Sequence, residues 1–350
     1  MARRHVTIIS PALANANNGN GLTVSRWARF LGKRYRVTLA LEWDGAPCNA
    51  MIALHARRSA ASIAGFAAAY PASPLILALT GTDLYRDIRS DTQAQRSLQL
   101  ASQLVVLQTA GLQELDSYQR SKAVVIYQSA PALKPVNQHL KQHSRYFDVI
   151  MIGHLRAEKD PVTFMRVAAL LRSARVRLTH IGGVIDPALG IQAAATQSTQ
   201  PRYRWLGPVA HGQTRQYLKR SHLMVITSVM EGGAHVIIEA VTSGVPVLAS
   251  DIAGNKGMLG FDYEGFFPLG DSLKLAQLID LVVNDTSFYN RLQTQCAARA
   301  PLFAPEREKA ALLNLVDNCI YPQQNAQSTA TGSVSNSNSN SNSKTNQGLA

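Results

Sequence analysis

Short apolar runs recur along this chain, each followed by small or polar residues. Val6–Ser10, Val37–Leu41, Met51–Leu54, Leu75–Leu79, Leu104–Leu107 and Val124–Tyr127 form a first set. Asp148–Ile152, Leu178–Ile181, Tyr203–Leu206, Leu223–Thr227 and Val245–Ala249 form a second. Runs this short and this apolar predict strands covered on both faces. Between them, apolar positions fall at helical spacing. Val24, Trp27, Phe30 and Leu31 follow the first run, and Val236, Ile237, Ala240 and Val241 follow Leu223–Thr227. Leu273–Val283 and Lys309–Val316 read as further helices. Strands alternating with helices predict an α/β chain with parallel, doubly wound sheets.

The two sets are separated by QSAPALKPVNQ, whose prolines and polar residues interrupt both periodicities and predict a crossing between domains. The expected division is a Rossmann-like domain over 1–135, a linker over 136–147, a second Rossmann-like domain over 148–321 and an Asn/Ser-rich tail over 322–350. A chain of 350 residues is long enough for two such cores. The tail segment SVSNSNSNSNSKTNQ has no apolar periodicity and is expected to remain disordered.

The richest chemistry follows Leu223–Thr227, in TSVMEGGAHVIIEAVTSGVPVLASD. Gly232 and Gly233 permit a tight turn into a helix, and Gly244 with Pro246 stops it. Such an entry sets backbone N–H groups and the positive end of a helix at the carboxyl edge of a sheet, which suits a phosphate. Glu231 and Glu239 frame it with seven residues between them. A carboxylate repels phosphate, so these two acids are expected to face hydroxyl groups such as those of a sugar or a ribose.

Other candidates also sit past strand ends. Gly19 and Gly21 open a helix that carries Arg26, and His55, Arg57 and Arg58 follow Met51–Leu54. Thr82 and Asp83 follow Leu75–Leu79, and Asp83 reads either as a helix N-cap or as an acid. His154, Arg156 and Lys159 follow Asp148–Ile152.

Charge narrows the partners. The formal net charge is +13, and residues 1–150 hold 17 Lys and Arg against 8 Asp and Glu. A basic first half calls for an anion: a phosphate-bearing small molecule, nucleic acid or an acidic membrane. No basic run is interleaved with aromatics, so nucleic acid is not the expected partner. No apolar run approaches the roughly 20 residues of a membrane span, and stable membrane insertion is not expected. MARRHVTIIS reads as a first strand rather than a leader. Cys48, Cys296 and Cys319 have no metal-ligand spacing and fit a reduced, cytoplasmic setting.

Glu231 and Glu239, taken with Gly232, Gly233, Ala240, Gly244, Pro246 and Ser250, resemble the E-x7-E signature of the retaining-type, family 4-like GT-B glycosyltransferases. The resemblance implies two Rossmann-like domains facing a central cleft, with a nucleotide sugar on the second. It assigns the donor pyrophosphate to the amides of Gly232, Gly233, Ala234 and His235, the sugar to Glu231 and the nucleotide ribose to Glu239. The turn at Gly207 falls near the base. GHLRAEKD resembles the phosphate-clamping loop of the same family. Lys159 fits its lysine, and the second cation is either His154 or Arg156.

A narrower resemblance extends over most of residues 5–271. ALHARRSAASIA, LALTGTDLYRDI and ASDIAGNKGMLGFDYEGFFPLGD are similar to the selenosugar synthase branch of selenoneine biosynthesis, with His235 standing where that branch has Asn. It implies transfer from UDP-N-acetylglucosamine to selenophosphate with release of UDP. Selenophosphate is already a strong nucleophile, so the reaction asks for positioning and charge stabilisation. The acceptor would meet Gly19, Gly21, Arg26, His55, Arg57, Arg58, Thr82 and Asp83. Neither cofactor nor metal is expected, because cationic side chains and a helix end take the phosphate charge. The alternatives are a GT-B hexosyltransferase acting on a glycan, lipid or other small acceptor, and a basic nucleic-acid-binding protein built on the same fold.

Overall fold

A computed structural model describes residues 3–13, 19–134, 136 and 144–322. The predicted tail beyond Pro322 and most of the predicted linker lie outside the described residues. Two six-stranded sheets account for the alternating pattern. The first contains β1 (His5–Ile9), β2 (Arg36–Ala40), β3 (Ala50–Leu54), β4 (Leu75–Leu79), β5 (Gln103–Val106) and β6 (Ala123–Val125), in the order β2-β1-β3-β4-β5-β6. The second contains β7 (Phe147–Ile152), β8 (Val176–Ile181), β9 (Tyr203–Trp205), β10 (Leu223–Ile226), β11 (Val247–Ser250) and β12 (Phe266–Phe267), in the order β12-β11-β10-β7-β8-β9.

Every pairing is parallel, with Val225 of β10 set between Met151 of β7 and Leu248 of β11. The central strands β3, β4 and β10 are buried along their whole length. That is why their sequences are unbroken apolar runs: helices cover both faces and leave no solvent side for polar residues. In each sheet the strand order reverses once, between β1 and β3 in the first and between β7 and β10 in the second. Loops leaving the carboxyl ends of strands at such a reversal diverge to opposite faces and open a crevice. β3 delivers His55 to the first crevice, while β7 and β10 deliver Gly153–Lys159 and Thr227–Glu231 to the second.

Two elements differ from the sequence reading. Residues 253–259, to which the sequence reading assigned no helix, form one, Ala253–Leu259. The helix at Lys309–Val316 is longer, Pro305–Ile320, and it packs on the first sheet although it was assigned to the second domain. Its Leu312, Leu315 and Val316 join Trp27, Phe30 and Leu31 of the helix Gly19–Leu31 in one apolar core. The chain therefore crosses back, and its last described helix completes the first lobe. Among the described residues, no helix is long and apolar enough to cross a membrane.

Candidate functional site

A cleft of about 520 Å³ opens between the two lobes and is lined from both sides. On the second lobe, the loop after β7 and the loop after β10 are strapped together. The Val229 N–H donates to the Glu158 carbonyl at 2.9 Å, and the Thr227 hydroxyl donates to the Lys159 carbonyl at 2.7 Å. Asp160, at φ 40°, then caps the helix Pro161–Leu170 through Thr163. This bracing sets Lys159 Nζ 2.5 Å from Glu231 Oε1, an oxygen that also accepts from the Ser228 hydroxyl at 2.6 Å. Gly254 closes the floor: a Cβ there would lie 2.0 Å from the Glu231 carbonyl oxygen, so only glycine leaves this acid where it is.

The neighbouring cations differ in kind. His154 Nδ1 accepts the Gly183 N–H at 3.1 Å. An imidazole that accepts at one nitrogen carries its single proton on the other and is neutral. Arg156 keeps its charge, and its buried Nε has no hydrogen-bond partner among the described residues. Its nearest acid, Glu158, is 3.9 Å away and also lies 3.8 Å from Arg86 of the first lobe. The two fixed positive charges on this wall are therefore Lys159 and Arg156.

The helix His235–Thr242 points its amino end into the cleft without a side-chain cap. The backbone N–H groups of residues 232–236 make no hydrogen bond among the described residues. One turn into the helix, Glu239 is almost fully buried and gathers positive or polar partners around Oε1. His211 Nε2 is at 2.5 Å, His235 Nε2 at 3.6 Å and Arg215 Nε at 3.8 Å. Burial, the largest single influence, works to raise the Glu239 carboxyl, but the His211 hydrogen bond, with His235 and Arg215 behind it, holds it below its ordinary value. The same bond to Glu239 raises His211. His235 is pushed down to about 4 by burial, against the pull of Glu239, and is neutral at physiological pH.

His211 and Arg215 were not among the sequence candidates. They lie on the helix His211–Arg220, which no motif marks, and only folding brings it beside Glu239. The cluster His211, His235 and Glu239 was equally invisible, because its three donor atoms, all within 4.8 Å of one another, come from two helices.

The first-lobe wall is more structural than predicted. His55, Arg58, Thr82 and Gly19 do line the cleft. His55 is held at φ 73°, a left-handed conformation uncommon for a non-glycine residue, and stored strain of this kind gathers at functional sites. Its Nδ1 accepts the Arg58 N–H and its Nε2 donates to the Thr82 hydroxyl at 3.0 Å. Burial lowers its pKa and keeps it neutral.

Arg26, by contrast, is committed elsewhere. It makes a two-pronged ion pair with Glu308, at 2.6 and 3.0 Å, and the same carboxylate accepts from Trp27 Nε1 and the Ser129 hydroxyl. Arg57 pairs with Asp87 at 3.2 Å, outside the cleft lining. Asp83 is neither an N-cap nor an exposed acid. It is fully buried and accepts from the N–H groups of Ala56, Thr80 and Gly81, so it ties the loops after β3 and β4 together. Gly21 is buried within its helix, and Gly207 uses its carbonyl to hold the Gly182 N–H.

Gly232 and Gly233 have a role that spacing did not reveal. A Cβ on Gly232 would sit 2.3 Å from the Thr80 carbonyl oxygen, and one on Gly233 would sit 2.6 Å from Leu107 Cβ. Both neighbours belong to the first lobe. The glycines let the loop before the helix press backbone to backbone against the opposite wall, which seals one side of the cleft.

Comparison with known proteins agrees with this architecture. Residues 136–299 match the family model "Glycosyl transferases group 1". That match falls on the second lobe. The GT-B fold superposes on Anabaena Alr3699/HepE, crystallised with UDP-glucose, with a TM-score of 0.72 at 15% identity, over 90% of this chain and 100% of that one. Sucrose-phosphate synthase from Thermosynechococcus elongatus gives a TM-score of 0.73 at 14% identity, over 93% and 100% respectively. At the sequence level, the GT-B chain is 28% identical over 118 residues to the Xenopus tropicalis glycosyltransferase 1 domain-containing protein 1. That match spans 33% of this chain and 34% of the relative, so it covers about a third of the curated relative's length.

Proposed function

We propose that this protein transfers a hexosyl group from a UDP-sugar bound in the interlobe cleft to a small acceptor held by the first lobe. The observation that carries the reading is a convergence of unpaired donors at the β7/β10 reversal. Arg156, Gly232, Gly233, His235 and Val236 line one space with the carboxylates of Glu231 and Glu239, and the amides of residues 232–236 make no hydrogen bond among the described residues. A diphosphate would complete those donors: the helix end and Arg156 meet its oxygens, and Lys159 turns toward it from Glu231. Neutral His154 would contribute a hydrogen bond rather than charge. Glu239, buried and ionised, would accept from the ribose diol, and Glu231 from the sugar hydroxyls. The catalytic contribution of this wall is electrostatic, since it stabilises the negative charge that develops on departing UDP. HepE was crystallised in complex with UDP-glucose, and its fold likeness supports a nucleotide sugar in the same cleft.

For the acceptor, the resemblance of residues 53–64, 77–88 and 249–271 to the selenosugar synthase branch favours selenophosphate, with UDP-N-acetylglucosamine as donor. Selenium attacks C1 of the sugar as the C1–O bond to UDP breaks, and the bonding pair leaves with UDP. Arg58, His55 and Thr82 would hold the acceptor's anionic end. One observation favours the alternative of a hydroxyl-bearing glycan, lipid or other small acceptor. With Arg26 and Arg57 paired to acids, Arg58 is the one arginine of the three free to line the cleft from that wall.

The deciding experiment incubates the protein with UDP-N-acetylglucosamine and selenophosphate, thiophosphate, phosphate or a hydroxyl acceptor, and follows UDP and sugar products by mass spectrometry. Selenium-dependent UDP release with a seleno-sugar product is expected. Release that depends only on a hydroxyl acceptor replaces the selenium reading with the alternative. Absence of any UDP-sugar binding removes both.

A further inference from the structure

The cluster at Glu239 is chemically more than a seat for ribose. We propose that His211, His235 and Glu239 form a three-ligand site for a divalent transition-metal ion of the zinc type, which competes with the nucleotide for Glu239. The competition rests on the donor reading above; the metal site itself does not.

Two imidazoles and a carboxylate are the ligand set that such ions favour, with metal–nitrogen bonds of about 2.0–2.1 Å and a fourth position open to water or substrate. The geometry supplies that set. His235 and Glu239 are one helical turn apart on the same face, and His211 approaches from a second helix, so the donor atoms already lie within 4.8 Å of one another. All three residues line the cleft, so an ion has a path in and its open position faces the space where a ligand would lie. His235 is placed to ligate: its Nε2 lies 3.6 Å from Glu239 Oε1, and its ring makes no hydrogen bond among the described residues.

Arg215 is the counterweight. Its guanidinium lies 3.8 Å from Glu239, and one end is anchored on the Pro131 carbonyl at 2.6 Å. A fixed positive charge there opposes a second cation and caps the affinity. The site is therefore suited to reversible occupancy rather than to a permanently bound structural metal. Because the ion and a ribose diol would draw on the same carboxylate, each excludes the other, and metal would act as a competitive brake on donor binding.

The test uses full-length protein without a histidine tag, stripped of metal. Co²⁺ binding is followed by its visible absorption and Zn²⁺ binding by equilibrium dialysis, first alone and then with UDP. One ion per chain is expected, with affinity lowered at least about tenfold in His235→Ala and in His211→Ala. Arg215→Gln should bind the ion more tightly than the wild type, an outcome that general damage to the fold cannot mimic. UDP should displace the ion. Failure to bind one ion saturably, or binding indifferent to His235→Ala, overturns the proposal. If UDP binds and is weakened by Glu239→Gln while no ion binds, the metal site alone falls. A histidine-dependent ion that UDP cannot displace upholds the metal site and overturns the placement of the ribose.

Discussion

The two walls of the cleft carry similar residues and use them differently. On the second lobe, Arg156, Lys159, Glu231 and Glu239 all line the opening, and the 232–236 amides make no hydrogen bond among the described residues. On the first lobe, Arg26, Arg57 and Asp83 are consumed by Glu308, Asp87 and three backbone amides. A basic residue past a strand end is therefore not by itself a ligand contact. What separates the walls is where the pairs sit: Lys159 with Glu231 and His211 with Glu239 pair inside the cleft lining, whereas Arg26 with Glu308 and Arg57 with Asp87 pair outside it. The net positive charge of the first 150 residues overstates the charge that reaches the cleft, since part of it neutralises acids elsewhere in the fold.

The largest test of this contrast is at Glu308. Glu308→Ala strands Arg26 in a buried environment and removes the tie between the helices Gly19–Leu31 and Pro305–Ile320. A loss of about 3–5 kcal/mol in unfolding free energy is expected, measured by urea denaturation. A loss below 1 kcal/mol would mean that Arg26 is free to turn toward the cleft.

Acidification should be next in size, and it acts on the second lobe. His180 is fully buried, accepts from Tyr203 at Nδ1 and donates to the Gly153 carbonyl at Nε2, and burial pushes its pKa from 6.5 to about 4. The unfolded chain thus binds this proton first. Its contribution to stability is complete above about pH 6.5 and declines as the pH falls toward 4, by up to about 3 kcal/mol. Thermal unfolding of wild type and His180→Gln across that range should converge at low pH. Parallel curves would remove His180 as the cause.

Lys159→Ala should leave the fold intact and weaken UDP by about 1.5–3 kcal/mol, the range of a hydrogen bond to a charged group, read by calorimetry. Unchanged affinity would move the diphosphate away from this wall. The smallest effect is expected at Arg57→Ala, whose ion pair is partly exposed and whose loss should shift stability by less than about 1 kcal/mol with donor and acceptor use unaltered. A large rise in acceptor KM would return Arg57 to the site.

The amino-acid order alone determined the two sheets and the second-lobe wall of the cleft. Buried parallel strands must be short apolar runs, and a helix entered through two glycines between paired acids leaves its mark over a dozen consecutive residues. What depended on partners distant in sequence stayed hidden. Arg26 meets Glu308 across 282 positions, His211 meets Glu239 from another helix, and Gly232 meets Thr80 across the cleft. No local pattern encodes these contacts, because each arises where independently formed elements happen to pack. Tertiary packing alone decided which charges are spent holding the protein together and which remain to meet a ligand.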